Sequence, residues 1–244
     1  MKKSYLLASL LLMTLSNILS AQDKPEDTEV WEPEPKVISP GYSYASAPSD
    51  AIVLFSENNL DQWTNGDGQA PGWDVSGDIF TVVPKSGQIQ TKEVFEDFQL
   101  HIEWRSPLVI QGEGQGRGNS GIFLQGKYEL QVLDSYNNRT YSNGQAASIY
   151  KQAIPLVNAT QPTGNWNSYD VIYTAPKFNE NGELKSPAYV TVLHNGVLVQ
   201  NHTEIKGRTA FIGQPKYEAH GPGPILLQDH SNPVSYRNIW IRRL

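Results

Sequence analysis

The sequence predicts an all-β fold, a two-sheet sandwich, and three observations carry that expectation. Apolar residues recur with period two in many short runs, turn residues separate the runs, and no long amphipathic helix interrupts them. The runs fall at 51–55, 79–83, 88–91, 97–105, 120–125, 127–134, 168–174, 188–194, 197–203, 224–230 and 234–243. Asn65-Gly66, Ser86-Gly87, Asn143-Gly144, Asn181-Gly182 and Asn195-Gly196 lie among them as turns. Asn195-Gly196 joins two β-rich runs directly, which marks a hairpin, since a type I′ turn needs positive φ at both central residues. Many short strands with tight turns close as a sandwich or a barrel.

The segments before this body read differently. Lys2 and Lys3 precede an apolar run over 5–19, broken by Ser9, Thr14, Ser16 and Asn17, and Leu19-Ser20-Ala21 offers small residues for a cut before Gln22. The run is short of the roughly 20 residues a membrane span needs. Residues 1–21 are therefore expected to be a secretory signal peptide, with a secreted or periplasmic mature protein that has no membrane span. Residues 22–49 carry Pro25, Pro33, Pro35, Pro40 and Pro48 among many acids, and no apolar period. Each proline removes an amide donor and pushes its predecessor toward extended geometry, so an extended segment is expected. Residues 50–244 are expected to form a single domain.

Composition narrows the function. With no cysteine among 244 residues, thiol nucleophiles, Cys-ligated zinc, disulfides and Cys lipidation are excluded. A net charge of −6 with no basic run argues against nucleic acid as a partner. Gly121 to Lys127 fits the first part of a phosphate-binding loop, but Tyr128 stands where Ser or Thr is needed and the stretch reads as strand.

Alternation sorts the candidate site residues onto faces. In 98–105, Leu100, Ile102 and Trp104 point one way, and Gln99, His101, Glu103 and Arg105 the other. In 128–134, Tyr128, Leu130 and Val132 oppose Glu129 and Gln131; later, Gln228 and His230 share a face with Leu226. Such polar faces are either solvated sheet surface or, gathered in one curved sheet, a groove suited to sugars. The run Glu129-Leu-Gln131-Val-Leu-Asp134 is similar to the E-x-D-x-x-E strand of laminarinase-like retaining glycoside hydrolases. Retaining chemistry needs two carboxyl groups about 5–5.5 Å apart. Here the middle residue is an amide, and Asp134 could equally start a turn before Ser135.

Residues 31–244 resemble the 3-keto-disaccharide hydrolase family. The resemblance is carried by Trp31-Glu-Pro-Glu-Pro, Asp50-Ala-Ile-Val-Leu-Phe, Asn119-Ser-Gly-Ile-Phe-Leu-Gln and Tyr128-Glu-Leu-Gln-Val-Leu-Asp-Ser. Gly144-Gln-Ala-Ala-Ser-Ile-Tyr, Trp166-Asn-Ser-Tyr-Asp-Val-Ile, Gln228-Asp-His and Tyr236-Arg-Asn-Ile-Trp-Ile extend it to the C-terminus. It implies a jelly-roll sandwich of the concanavalin A-like lectin/glucanase type and action on sugars oxidised at C3. A 3-keto group acidifies the C2 hydrogen, so one base, an oxyanion stabiliser and an acid for the leaving oxygen suffice. Glu129 and His230 are the candidate catalytic residues. Arg105, Asn119 and Gln131 are candidate donors to an enolate or hydroxyl, Trp166 a candidate stacking platform, and Glu103 and Gln228 complete the expected binding set. No cofactor is required by this chemistry, the oxidation being done elsewhere; a divalent metal is left open. The partner is a sugar substrate, a 3-keto-glycoside. A non-catalytic carbohydrate-binding module and a retaining glucanase-like hydrolase are the alternative readings.

Overall fold

The computed structural model describes residues 24–43 and 45–244; the expected signal peptide at 1–21 lies outside the described residues. Among the described residues fifteen strands follow one another: β1 Ile52–Phe55, β2 Trp63–Asn65, β3 Asp74–Ser76, β4 Ile79–Thr81, β5 Ile89–Thr91, β6 Phe98–Arg105, β7 Ser120–Leu124 and β8 Tyr128–Val132, then β9 Asn167–Thr174, β10 Lys177–Phe178, β11 Leu184–Ser186, β12 Ala188–His194, β13 Val197–Ile205, β14 Leu226–Leu227 and β15 Ser235–Arg243. Only three short 3-10 turns accompany them among the described residues, and no helix there is long and apolar enough to cross a membrane. Every run expected from alternation contains a strand. The four outside those runs, β2, β3, β10 and β11, have two or three residues each.

Two antiparallel sheets form the jelly-roll sandwich. One runs β13-β12-β9-β6-β15-β4-β3, with β1 also on β15; the other runs β2-β5-β14-β7-β8; β10 and β11 make a separate ribbon. Asn195 and Gly196 take φ 53° and 77°, closing β12 onto β13 as a tight hairpin that pairs His194 with Val197. The inward residues of β6 and β9, among them Leu100, Ile102, Trp104, Tyr169 and Tyr173, are wholly buried, as are Ile122, Leu124 and Leu130 of the facing sheet. Complete burial of one such side chain contributes about 1.5–3 kcal/mol.

Three tyrosines of the larger sheet bind the smaller one across this core. Tyr169 Oη donates to the Gln131 carbonyl at 2.9 Å, Tyr173 Oη to Gln125 Oε1 at 2.8 Å, and Tyr236 Oη to Ser120 Oγ at 2.7 Å. A buried hydroxyl left unpaired costs about 1–3 kcal/mol, so these bonds reward one alignment of the sheets. Their acceptors lie in β7, in β8 or in the turn between them, which makes that corner of the smaller sheet a well-held platform.

Residues 24–37 and 38–244 are separate units. In the first, a 3-10 turn over Pro25–Thr28 precedes extended chain, with Trp31 Nε1 donating to Glu29 at 3.1 Å. The segment expected to be extended over 22–49 is divided between the two units at Ile38. Ala45 O accepts from Asn238 Nδ2 and Trp240 Nε1, both at 3.0 Å, so its surroundings belong to the sandwich.

Candidate functional site

A cavity of about 670 Å³ opens on the outward face of the smaller sheet. Its floor is built by alternation. Tyr128, Leu130 and Val132 of β8 go to the core, so Glu129 and Gln131 must face outward, where Phe123 of the paired strand β7 joins them. Gly121, opposite Gln131, keeps the floor open. A Cβ there would sit 2.7 Å from Glu129 Oε1 and 3.0 Å from the Phe123 ring.

Loops raise the walls. Gln115 and Asn119 come from the segment before β7, with Asn119 Nδ2 donating to the Gln115 carbonyl at 2.7 Å. The 147–150 segment runs beside β8: Ala147 and Tyr150 donate their N–H to the carbonyls of Gln131 and Glu129, both at 3.0 Å. That ladder delivers Tyr150 to the cavity, and Tyr141 meets it hydroxyl to hydroxyl at 2.6 Å. Thr209 Oγ1 accepts from Glu129 N at 2.9 Å and pins the loop that carries Phe211. Gln228 and His230, beyond β14, complete the ring.

The electrostatics centre on Glu129. Burial pushes its carboxyl up to about 8. Gln131, with its amide nitrogen toward Glu129, donates to Glu129 Oε1 and to Ser120 O, both at 3.0 Å; the reverse orientation would set its oxygen against those two acceptors. The other end of this amide lies 3.0 Å from the Gln115 carboxamide. Gln228 Oε1 is buried without a partner among the described residues, an acceptor free for a ligand hydroxyl. Among the described residues Glu129 is the only carboxyl lining the cavity, and no cluster of three or more His, Asp or Glu is arranged to hold a metal.

The structure thus brings together Asn119, Glu129, Gln131, Gln228 and His230 of the residues named from sequence. It does not bring Glu103, Arg105 and Trp166 to them. Glu103 and Arg105 lie in β6 of the other sheet, whose polar face points away from the core on the opposite side, and Trp166 lies just before β9 of that sheet. Glu103 sits beside wholly buried His101, accepts from Arg237 Nε at 2.6 Å and from Asn238 at 2.9 Å, and is a structural ion pair. Burial alone would raise Glu103, but bonds from His101, Asn238 and Arg237 outweigh it and hold the carboxyl near 2. Burial would likewise lower His101, yet Asp170 and Glu103 raise it to about 9. Trp166 has the guanidiniums of Arg105 and Arg237 over its ring at 4.7 and 4.2 Å. Asp134 also leaves the site, accepting from Arg117 Nε at 2.9 Å and Thr163 Oγ1 at 2.8 Å, with Tyr136 N at 3.3 Å closing the turn. With Asp134 so engaged, the carboxyl pair of a retaining glucanase is not assembled in this cavity. Sequence reasoning missed Gln115, Phe123, Tyr141, Tyr150, Thr209 and Phe211; all but Phe123 lie in irregular segments without a period to read.

Comparison with known proteins gives a consistent picture. The family model described as 3-keto-alpha-glucoside-1,2-lyase-like domain matches residues 50–242. A crystal structure of a candidate glycosyl hydrolase from Parabacteroides distasonis is 55% identical, with 92% of this chain and 98% of that chain covered and a TM-score of 0.88. A second candidate glycosyl hydrolase from the same organism is 19% identical, with 80% of this chain and 94% of that one covered and a TM-score of 0.58, which speaks for the fold alone. No curated protein matches the chain.

Proposed function

The chain belongs to the 3-keto-alpha-glucoside-1,2-lyase-like family, and from that premise we propose that it cleaves 3-keto-glycosides by elimination followed by hydration. The observation that carries this reading is the lone buried carboxyl in the sugar-sized cavity. A buried carboxyl pushed up to about 8 is a strong proton acceptor once ionised, and a second one is what ordinary glycoside hydrolysis would need. In the first step Glu129 takes the C2 proton, and the C–H electron pair forms an enolate with C3. The enolate then collapses: C3=O returns, C1=C2 forms, and the C1–O bond breaks with a proton delivered to the leaving oxygen. His230, exposed at the cavity rim, is placed to supply that proton. Water then adds across C1=C2, its oxygen to C1 and a proton to C2, so the sum is hydrolysis without net redox change. Asn119 and Gln228 hold ring hydroxyls, and Phe123 and Phe211 give the sugar apolar surface. We also propose that the protein works outside the cytoplasm, on the strength of the Lys2-Lys3 start and the run that follows it.

The test is a panel of 3-keto-glycosides beside their unoxidised parents, following release of the leaving group. Cleavage of the oxidised members alone is expected, since only they have an acidified C2 hydrogen. Equal cleavage of both sets would reject elimination. Sugar binding with no cleavage of any member would point to a binding module.

A further inference from the structure

Two phenols meet at the cavity wall beside the base. Tyr150, 9% exposed, is held on β8 by its N–H bond to the Glu129 carbonyl, and its hydroxyl lies 2.6 Å from that of Tyr141. The two rings meet edge-on, with centroids 6.2 Å apart. Tyr141 is fixed from beneath by Gly144, where any Cβ would collide with the ring, so that position has room only for glycine. Lys151 closes the far side. Its backbone takes φ 58°, its Nζ donates to the Phe211 carbonyl at 2.6 Å, and the ammonium lies 5.8 Å from the centroids of both tyrosine rings.

The pair has a proton to spare. Two phenols carry two hydroxyl protons, and their mutual bond uses one. Gln131 spends its amide protons on Glu129 and Ser120. The phenol pair therefore keeps one donor that can turn into the cavity.

We propose that Tyr150, with Tyr141 donating to it, is the oxyanion donor of the elimination and takes the C3 oxygen of the substrate. The inference rests on the 3-keto reading above and deepens it by naming the group that receives the developing charge. When Glu129 removes the C2 proton, the C–H pair becomes the C2=C3 bond and the carbonyl π pair moves onto the C3 oxygen. Tyr150 donates a hydrogen bond to that oxygen and keeps its proton, so the pair can return and expel the C1 substituent. A hydroxyl that already accepts a hydrogen bond is the stronger donor, which is what Tyr141 provides. Burial pushes the Tyr150 phenol above its usual range, so the donor stays protonated at neutral pH. The nearby ammonium of Lys151 favours negative charge on the pair.

Tyr150→Phe, Tyr141→Phe and the double variant test this on a 3-keto-glycoside that wild type cleaves. Removing one oxyanion donor costs roughly 10²–10³-fold, so Tyr150→Phe should lower kcat by that factor with KM nearly unchanged. Tyr141→Phe removes only the supporting bond and should cost about 3–10-fold in kcat. The double variant should be no slower than Tyr150→Phe alone, because the two act as one unit. Wild-type kcat in Tyr150→Phe, or a loss confined to KM, overturns the proposal. If Tyr150→Phe does not fold, unchanged kcat in Tyr141→Phe, at the more exposed position, overturns it as well. A wild type inactive on every 3-keto-glycoside sinks the functional reading together with this one; an active wild type with unaffected variants sinks this one alone.

Discussion

Replacing Glu129 with glutamine is expected to lower turnover of 3-keto-glycosides by roughly 10²–10⁴-fold, the usual cost of losing a general base. Sugar binding should persist, because the amide keeps the shape of the side chain. The same variant should be more stable than wild type, and the gain should depend on pH. Glu129 is held at about 8 in the fold against an ordinary value of 4.5, so the folded state keeps the proton more tightly than the unfolded one. Wild-type stability therefore falls as pH rises from about 4.5 through about 8, and the penalty is complete above that. Glu129→Gln removes it. The unfolding free energies should coincide near pH 4 and diverge with rising pH, to a difference on the order of a few kcal/mol. Parallel melting curves across pH would show that Glu129 is not the buried carboxyl described here. Unaltered turnover would remove it as the base.

Arg117→Met is expected to cost about 3–5 kcal/mol of stability, the typical loss when one partner of a buried ion pair is removed. Arg117 and Asp134 are 11% and 2% exposed, and Arg117 Nη2 also donates to Tyr136 O and Thr163 Oγ1, both at 2.9 Å. Without the guanidinium, Asp134 is a buried charge with only hydroxyl and amide partners. Adding Asp134→Asn to the variant should restore part of the loss, because the uncompensated charge is gone. Urea unfolding measures both. A change below about 1 kcal/mol, the range of exposed pairs, would mean the pair is solvated.

The strand positions and the inward faces of β6 and β8 were legible because a two-residue period is a strong signal in strands of five or more residues. Glu129 and Gln131 were legible for the same reason, being two apart on a strand whose other face is apolar. The same signal misplaced Glu103 and Arg105. Alternation tells which face of its own strand a residue occupies, but not which sheet the strand joins. β6 lies in the larger sheet, so its polar face is turned away from the cavity. Asp134 was legible only as an open choice. It begins the turn that Tyr136 N closes and serves a salt bridge, because the strand ends at Val132. Tyr141, Tyr150 and Phe211 reach the cavity through loops whose course depends on hydrogen bonds between distant segments, such as Thr209 to Glu129, and no local pattern encodes those.

The central claim is that the glycosidic bond breaks because C2 loses its proton. A 3-keto-glycoside carrying deuterium at C2, cleaved in ordinary water and compared with an enzyme-free control, tests it at the atom concerned. The released sugar is predicted to have lost the label to solvent through Glu129. Cleavage with the C2 deuterium retained in full would contradict the account.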